Sequence, residues 1–539
     1  MSNVDLDRFT SRRSTVYGRR GVVATSQPLA AEAGISVLRD GGNAFDAAVA
    51  TAAALNVVEP TSTGLGGDVF ACYRTADGDV GGLRSCGHAP AGATRDRVRT
   101  AVAEEEGVAP EDAEMPDTGP HTVTVPGTAR GWELTVETLG RRTLGEVLQP
   151  AIRYARDGYP VSEVVASQWE HGEELFTQDH ARETYLFDGE SPSVGQTVTL
   201  PELGETLATI ADEGADPVYE GAIAEAIAGE VQARGGYMTV DDLAAFDPEF
   251  VDPESTTYNG VEVFELPPNN QGPVVLEALN VAQELGAGDH PLGSPEATHR
   301  FVEALKLAFH DGHRYITDPE YEDIPPLASK AYARERAELV GEEALTDVSI
   351  GHPQSAAEDA DTVLLTVADD EGNVVSYINS RFAGFGSGLV AGDTGIALQN
   401  RGASFSLDDD HPNRLEPGKR PFHTLIPAVA RLDADDWLAF GVMGGYMQPQ
   451  GHLQVLSNIV DYDLPLQAAL DRPRWRYRED GTLAVEDRMA RLGTKLARRD
   501  HDVRLLPPGE FGGAQIVRND DGTLSAATEP RKDGTAAGF

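Results

Sequence analysis

Cysteine is nearly absent: Cys72 and Cys86 are the only two in 539 residues, which excludes a disulfide-stapled scaffold and a cysteine-built zinc cage. Lysine is scarce as well. Only five of the 43 basic residues are lysine (Lys306, Lys330, Lys419, Lys495 and Lys532), so arginine carries almost all the positive charge. No uncharged apolar run reaches membrane-spanning length, and Met1 to Arg20 is charged throughout, without the apolar core of a secretory signal. A soluble, cytoplasmic protein without membrane contact is therefore expected. Neither HExxH nor GxSxG occurs. His310-Asp311-Gly312-His313 has only a generic metal spacing, and such a pair is more often helix-surface polarity than a ligand set. Gly384, Gly386 and Gly388 follow a strand-like segment, yet they lead into another turn, so a dinucleotide phosphate would lack its helix N-terminus. No metal and no organic cofactor is expected.

What the chain has in excess is acid. Asp and Glu number 88 against 43 basic side chains, a formal net charge of −45 and a pI near 4.5. Phosphate binding wants the opposite sign, which disfavours nucleic acid as a partner. The imbalance, with arginine replacing lysine, reads as salt adaptation, since concentrated salt screens such repulsion to within a few Å; a merely acidic protein is the plainer alternative. Hydrophobic residues make up 40%, enough for one large core or two closely packed ones.

Along the chain, Ala30 to Val58 reads as two helices broken at Gly41-Gly42, the second capped by Asn43 with Asp46 three residues on. Thr61 to Asp68 is a loop of small residues before the strand-like Val69–Tyr73, so backbone must pass close to something there. Thr122–Val125 alternates like a strand. Leu144–Arg156 has one apolar helical face. Asp241–Phe246 and Phe301–Phe309 look helical, Ser355–Ala360 reads as an exposed linker, and Thr362–Ala368 with Val374–Asn379 reads as a hairpin. Leu438–Val442 is strand-like and ends in Gly444-Gly445, before a helix from about Gly451 to Val460. Strands and helices in both halves suggest a layered α/β or α+β protein.

The junction Asp361-Thr362 carries the most chemistry. A hydroxyl opening a rigid strand after a mobile acidic linker can attack the preceding carbonyl if the backbone is strained. An N-to-O acyl shift followed by ester hydrolysis would free the Thr362 α-amine, whose ordinary pKa of about 8 suits it as base for its own hydroxyl. On spacing alone the plainer reading prevails, a Thr that opens a strand being usually just a β-branched strand former. The run Thr362-Val363-Leu364-Leu365-Thr366-Val367-Ala368-Asp369-Asp370-Glu371-Gly372-Asn373 resembles the start of the small subunit of γ-glutamyltransferases. Ala24–Ala30, Gly41–Ala48, Val125–Thr128, Phe385–Gly388, Met443–Gly445 and Asp533-Gly534 also resemble signatures of that family, in its order.

The resemblance implies an α+β N-terminal-nucleophile hydrolase fold, an αββα sandwich of two mainly antiparallel sheets that mix strands from both cleavage fragments. Those fragments would be 1–361 and 362–539, forming one intertwined heterodimer, with higher assembly left open. It implies Thr362 as catalytic nucleophile, Ser380 as its hydroxyl partner, and Gly444 and Gly445 as oxyanion-hole donors, each such donor being worth about 3 kcal/mol. The implied activity is amide hydrolysis or acyl transfer on a small amide or peptide, with γ-glutamyl compounds such as glutathione the family substrate. The glutamyl clamp departs from the family pattern: Cys86 stands where an arginine holds the α-carboxylate, Phe382 replaces an asparagine, Ser404 a carboxylate, Arg401 a glutamine, and His423 and Thr424 a pair of serines. Arg84 or His88 are candidate substitutes for the missing arginine. Arg401 offers a cation for a carboxylate, or is a salt-bridged surface residue, and the segment Leu407–Gly418 is expected to leave the pocket open. An acylase for other side-chain amides is the alternative within the enzyme class. An uncleaved, non-catalytic scaffold is the alternative outside it.

Overall fold

The computed structural model describes residues 13–346, 348 and 362–539; the predicted linker and Asp361 lie outside them. Two seven-stranded antiparallel sheets form the centre. In the first, the order is Thr535–Gly538, Gly21–Thr25, Val363–Asp369, Val374–Ser380, Asp68–Arg74, Val80–Ser85 and Glu249–Val251. In the second it is Val16–Gly18, Thr523–Thr528, Gly513–Asp520, Asp436–Met443, Ala428–Asp433, Val261–Glu265 and Glu254–Tyr258. Each sheet thus mixes strands from before and after position 362.

Period-two alternation assigns the faces. In Val363–Asp369, Leu364 and Ala368 join the apolar layer between the sheets, together with Phe70, Ile378, Val429, Ala439 and Val517. Val363, Leu365 and Val367 turn to the outer face, where they meet Ala47, Ala48 and Leu55 of the helix Ala44–Val58. The second sheet does the same: Leu438, Phe440 and Val442 pack outward against Val275, Leu279 and Leu305 of the helices Gly272–Glu284 and Pro295–Tyr315. Every strand of the hairpin is buried on both sides, hence its nearly unbroken apolar sequence. The layers are therefore α, β, β, α. No helix among the described residues is long and apolar enough to cross a membrane.

The predicted helical pair is Pro28–Arg39 and Ala44–Val58. Gly41 between them sits at φ 91°, and Asn43 caps the second helix by accepting from Phe45 and Asp46 N–H while the Asp46 carboxylate accepts from Asn43 N–H. Asp241–Phe246 is the short helix Val240–Ala244, and the late helix starts earlier than expected, at Met447. Two expectations need correction. Leu144–Arg156 is two helices, Leu144–Val147 and Gln149–Asp157, because Pro150 in the first turn of the second has no N–H to continue the first. Thr122–Val125 is not a strand: a 3₁₀ turn, Pro120–Thr122, leads into extended backbone whose Val125 N–H bonds the His88 carbonyl in a loop rather than a ladder.

Candidate active site

Thr362 directly precedes the strand Val363–Asp369, and Val363 pairs with Asn379 while Ser380 pairs with Asp68. By the same alternation Thr362, Ser380 and Asp68 stand side by side on the face turned toward the second sheet, at one end of three adjacent strands. From the second sheet, Asp436–Met443 ends at the same mouth and hands over to Gly444-Gly445. The four positions are consequently brought together by where the strands stop.

The Thr362 hydroxyl donates to Ser380 Oγ at 3.3 Å, and the same oxygen accepts the Phe382 N–H at 2.8 Å. Phe382 is held at φ 84°, a conformation that costs a bulky residue on the order of 1–2 kcal/mol and occurs where surrounding structure enforces it. Gly444 and Gly445 have φ of 112° and 55°. A Cβ on Gly444 would come within 3.3 Å of Gly512 Cα. Thr362 and Gly444 open together onto a cavity of about 710 Å³ whose wall includes Asn400, Met447, Arg476 and Lys532.

Beneath Thr362 lies a buried polar cluster. Asp68 Oδ1 accepts from Gly127 N–H at 3.1 Å, Gln399 Nε2 at 3.1 Å and Gly87 N–H at 3.4 Å; Oδ2 faces His423 Nε2 at 3.1 Å. Since His423 Nδ1 accepts from Leu425 N–H, the ring proton sits on Nε2 and is donated to Asp68. Burial pushes the Asp68 carboxyl up to about 7, against the pull of Arg401 and of its N–H donors. Burial likewise draws Arg401 down to about 10 and holds His423 neutral, far below its ordinary range. Arg401 is fully buried, lies 4.2 Å over the Phe382 ring and donates from Nη1 to Thr424 Oγ1 at 2.9 Å. The surface alternative for Arg401 does not hold.

The remaining predicted residues are placed less uniformly. Ser404 shares the 3₁₀ turn Arg401–Ser404, and Cys86 Sγ meets Asn269 in the same buried region, its thiol pushed up to about 12 by burial first and Asp68 second. Arg84 is turned elsewhere, its guanidinium bound to Glu249 at 3.0 Å and to the Pro268 carbonyl. His88 is half-buried, with burial lowering its pKa, and its carbonyl braces Val125. Neither lines the cavity beside Thr362.

Asp68 and Gln399 were not legible as site residues, although Asp68 closes the small-residue loop. That loop does make the close approach expected of it: a Cβ on Gly67 would fall 2.3 Å from the Ser380 carbonyl, and one on Gly66 as near the Ala397 carbonyl. Elsewhere, His299, Glu303 and His501 bring three possible metal-binding atoms within 4.8 Å. The Lys306 ammonium already occupies Glu303 at 2.8 Å, and a dication there would face it at contact range. We assign no metal to this cluster.

A sandwich of two antiparallel sheets between helices, with a hydroxyl and a glycine pair at its open end, defines an amide hydrolase of the N-terminal-nucleophile fold. The sequence profile described as Gamma-glutamyltranspeptidase matches residues 30–539. The chain is 36% identical to the glutathione hydrolase-like YwrD proenzyme of Bacillus subtilis, over 97% of this chain and 99% of that protein. It is 35% identical to the oxamate amidohydrolase proenzyme of Klebsiella pneumoniae, over 98% and 100%. The crystal structure of cephalosporin acylase from Bacillus halodurans superposes with a TM-score of 0.90 at 41% identity, covering 100% of this chain and 99% of that one. This protein belongs to the γ-glutamyltranspeptidase family, and it is an enzyme acting on amide bonds.

Proposed function

We propose that the chain is a self-processing amide hydrolase or acyltransferase that works through an acyl-enzyme on Thr362. The supporting observation is the bond from Thr362 Oγ1 to Ser380 Oγ beside a cavity that Gly444 also lines. In maturation, Oγ attacks the Asp361 carbonyl carbon, the C–N bond breaks to leave an ester, and water hydrolyses it. The products are an Asp361 carboxylate and a free α-amine on Thr362, giving fragments 1–361 and 362–539 that stay together as a heterodimer. In turnover, that amine takes the Oγ proton as Oγ adds to the substrate carbonyl. Gly444 and Gly445 N–H groups receive the oxyanion, the proton passes to the leaving amine, and water or another amine removes the acyl group.

Glutathione and other γ-glutamyl compounds are the reference substrates, given the glutathione hydrolase-like relative. The altered clamp favours an acylase instead: burial closes Cys86 off as a neutral thiol, and neither Arg84, held by Glu249, nor His88 lines the cavity in its stead. Acid excess and the lysine deficit make the proposed setting a salt-rich cytoplasm.

Intact mass after expression in high salt tests the proposal. Two fragments meeting between Asp361 and Thr362, and a Thr362→Ala chain that stays whole and inactive, are expected. One stable wild-type chain without amidase activity would instead establish the scaffold reading.

A further inference from the structure

Arg401 is an expensive residue to bury, and its donors are not all used. Among the described residues, Nη1 is bonded to Thr424, while Nε and Nη2 have no hydrogen-bond partner although both atoms are shielded from solvent. A desolvated guanidinium with open donors is strongly unfavourable unless an acceptor arrives. The neighbouring carboxylate does not fill that role: Asp68 spends its oxygens on Gly87, Gly127, Gln399 and His423, and acts on Arg401 only through space. Ser404 Oγ, in the same 3₁₀ turn, is also buried and unbonded.

The guanidinium is connected to both halves of the reacting centre. On one side it stacks on Phe382, whose N–H shares Ser380 Oγ with the Thr362 hydroxyl. On the other its bond to Thr424 leads to Gln271, whose Nε2 bridges the Thr424 and Gly445 carbonyls at 2.8 and 3.1 Å. A group bound by Arg401 is thus registered against nucleophile and glycine pair alike.

We propose that Arg401 is the specificity residue for the acyl group, receiving a carboxylate at its far end through Nε and Nη2, so that the preferred substrates are monoamides of dicarboxylic acids without an α-amino group. The inference rests on the acyl-enzyme reading above and supplies its substrate class. Nε and Nη2 lie on one edge of the guanidinium plane and match the two oxygens of a carboxylate. Discrimination against an amino group follows from Asp68, whose Oδ1 is filled by three N–H donors and whose Oδ2 is held by His423, so that neither oxygen is free of a donor when a substrate ammonium arrives.

The test compares glutaryl-, pentanoyl- and γ-glutamyl-p-nitroanilide on the mature enzyme, its Arg401→Gln variant and its Arg401→Lys variant. Wild type is expected to favour glutaryl over pentanoyl by at least about 30-fold in kcat/KM, the scale of a lost partner for a buried charge, and to favour glutaryl over γ-glutamyl. In Arg401→Gln the glutaryl-to-pentanoyl ratio should collapse toward one, and Arg401→Lys should restore part of it. A wild type indifferent to the carboxylate, a preference for γ-glutamyl, or a ratio unchanged in Arg401→Gln would overturn the assignment. If no anilide turns over, melting with free glutarate against pentanoate decides: glutarate should raise the midpoint only while Arg401 is present, and no shift in wild type sinks the proposal. Failure of the parent reading looks different, namely an uncut chain or undiminished hydrolysis by Thr362→Ala.

Discussion

Asp68 makes the strongest quantitative claim on the folded state. Its carboxyl ionises near 3.8 in an unfolded chain and is pushed by burial to about 7 in the fold. Between those values the folded protein holds a proton that the unfolded one has released, so stability is fullest below pH 4 and is lost as pH rises through 7. The span corresponds to about 4 kcal/mol. Asp68→Asn removes this dependence, keeping an oxygen for Gly87, Gly127 and Gln399 but setting an amide N–H₂ against the His423 Nε2–H, a mismatch of roughly 1–3 kcal/mol. Chemical denaturation midpoints of wild type and variant from pH 4 to 8.5, in constant high salt, should cross between about pH 4.5 and 6, the variant being the weaker below the crossing and the stronger above it, with the gap levelling off above about pH 7. Nothing else in the cluster titrates there: His423 is held neutral, the Cys86 thiol is pushed up to about 12, Tyr219 and Tyr446 are pushed higher still, and Arg401 is drawn down only to about 10. A variant that weakens more at pH 8 than at pH 5 would refute the reasoning, because the ionised carboxylate paired with Arg401 would then be the stable form.

The same titration reaches the substrate. As Asp68 ionises through pH 7 it offsets the Arg401 charge, so the kcat/KM ratio of glutaryl- to pentanoyl-anilide should fall with rising pH and become flat in Asp68→Asn. Ser380→Ala strands the buried Phe382 N–H and leaves the Thr362 hydroxyl unaimed; a stability loss of about 1–3 kcal/mol and self-cleavage slowed at least tenfold are expected, and cleavage at the wild-type rate would count against the pairing. Gly444→Ala meets φ 112° and a Cβ contact of 3.3 Å with Gly512, so turnover should drop on the order of 10²–10³-fold in a chain that still folds, whereas unchanged turnover would remove Gly444 from the oxyanion role. With a formal charge of −45, melting points should climb between 0.1 and 2 M KCl as repulsion is screened, and a flat response would dismiss salt adaptation.

Local rules were readable wherever one stretch of chain supplies its own partners. Asn43 and Asp46 cap their helix from three residues apart, and Val363–Asp369 with Val374–Ser380 closes through its own turn. Thr122–Val125 misled because the alternation of Thr and Val signals extended backbone, and this stretch, buried on both faces, runs extended along a loop instead of joining a ladder. Arg84 and His88 misled for another reason: proximity in sequence to Cys86 says nothing about direction, and Glu249, brought alongside by strand pairing, captures Arg84.

The sequence by itself determined which side of each strand is apolar, where glycine is obligatory in the Gly66-Gly67 approach, and that a hydroxyl opens a strand at Thr362. Only the tertiary structure decided what that hydroxyl faces. The hairpin brings Ser380 beside it, but Asp68 becomes its neighbour only because Val374–Ser380 pairs with Asp68–Arg74 from more than 300 residues away, and Gly444 joins them because the second sheet ends at the same mouth. Nor could composition foretell that Arg401 would be buried with two donors open, since burial depends on what the rest of the chain stacks over a side chain.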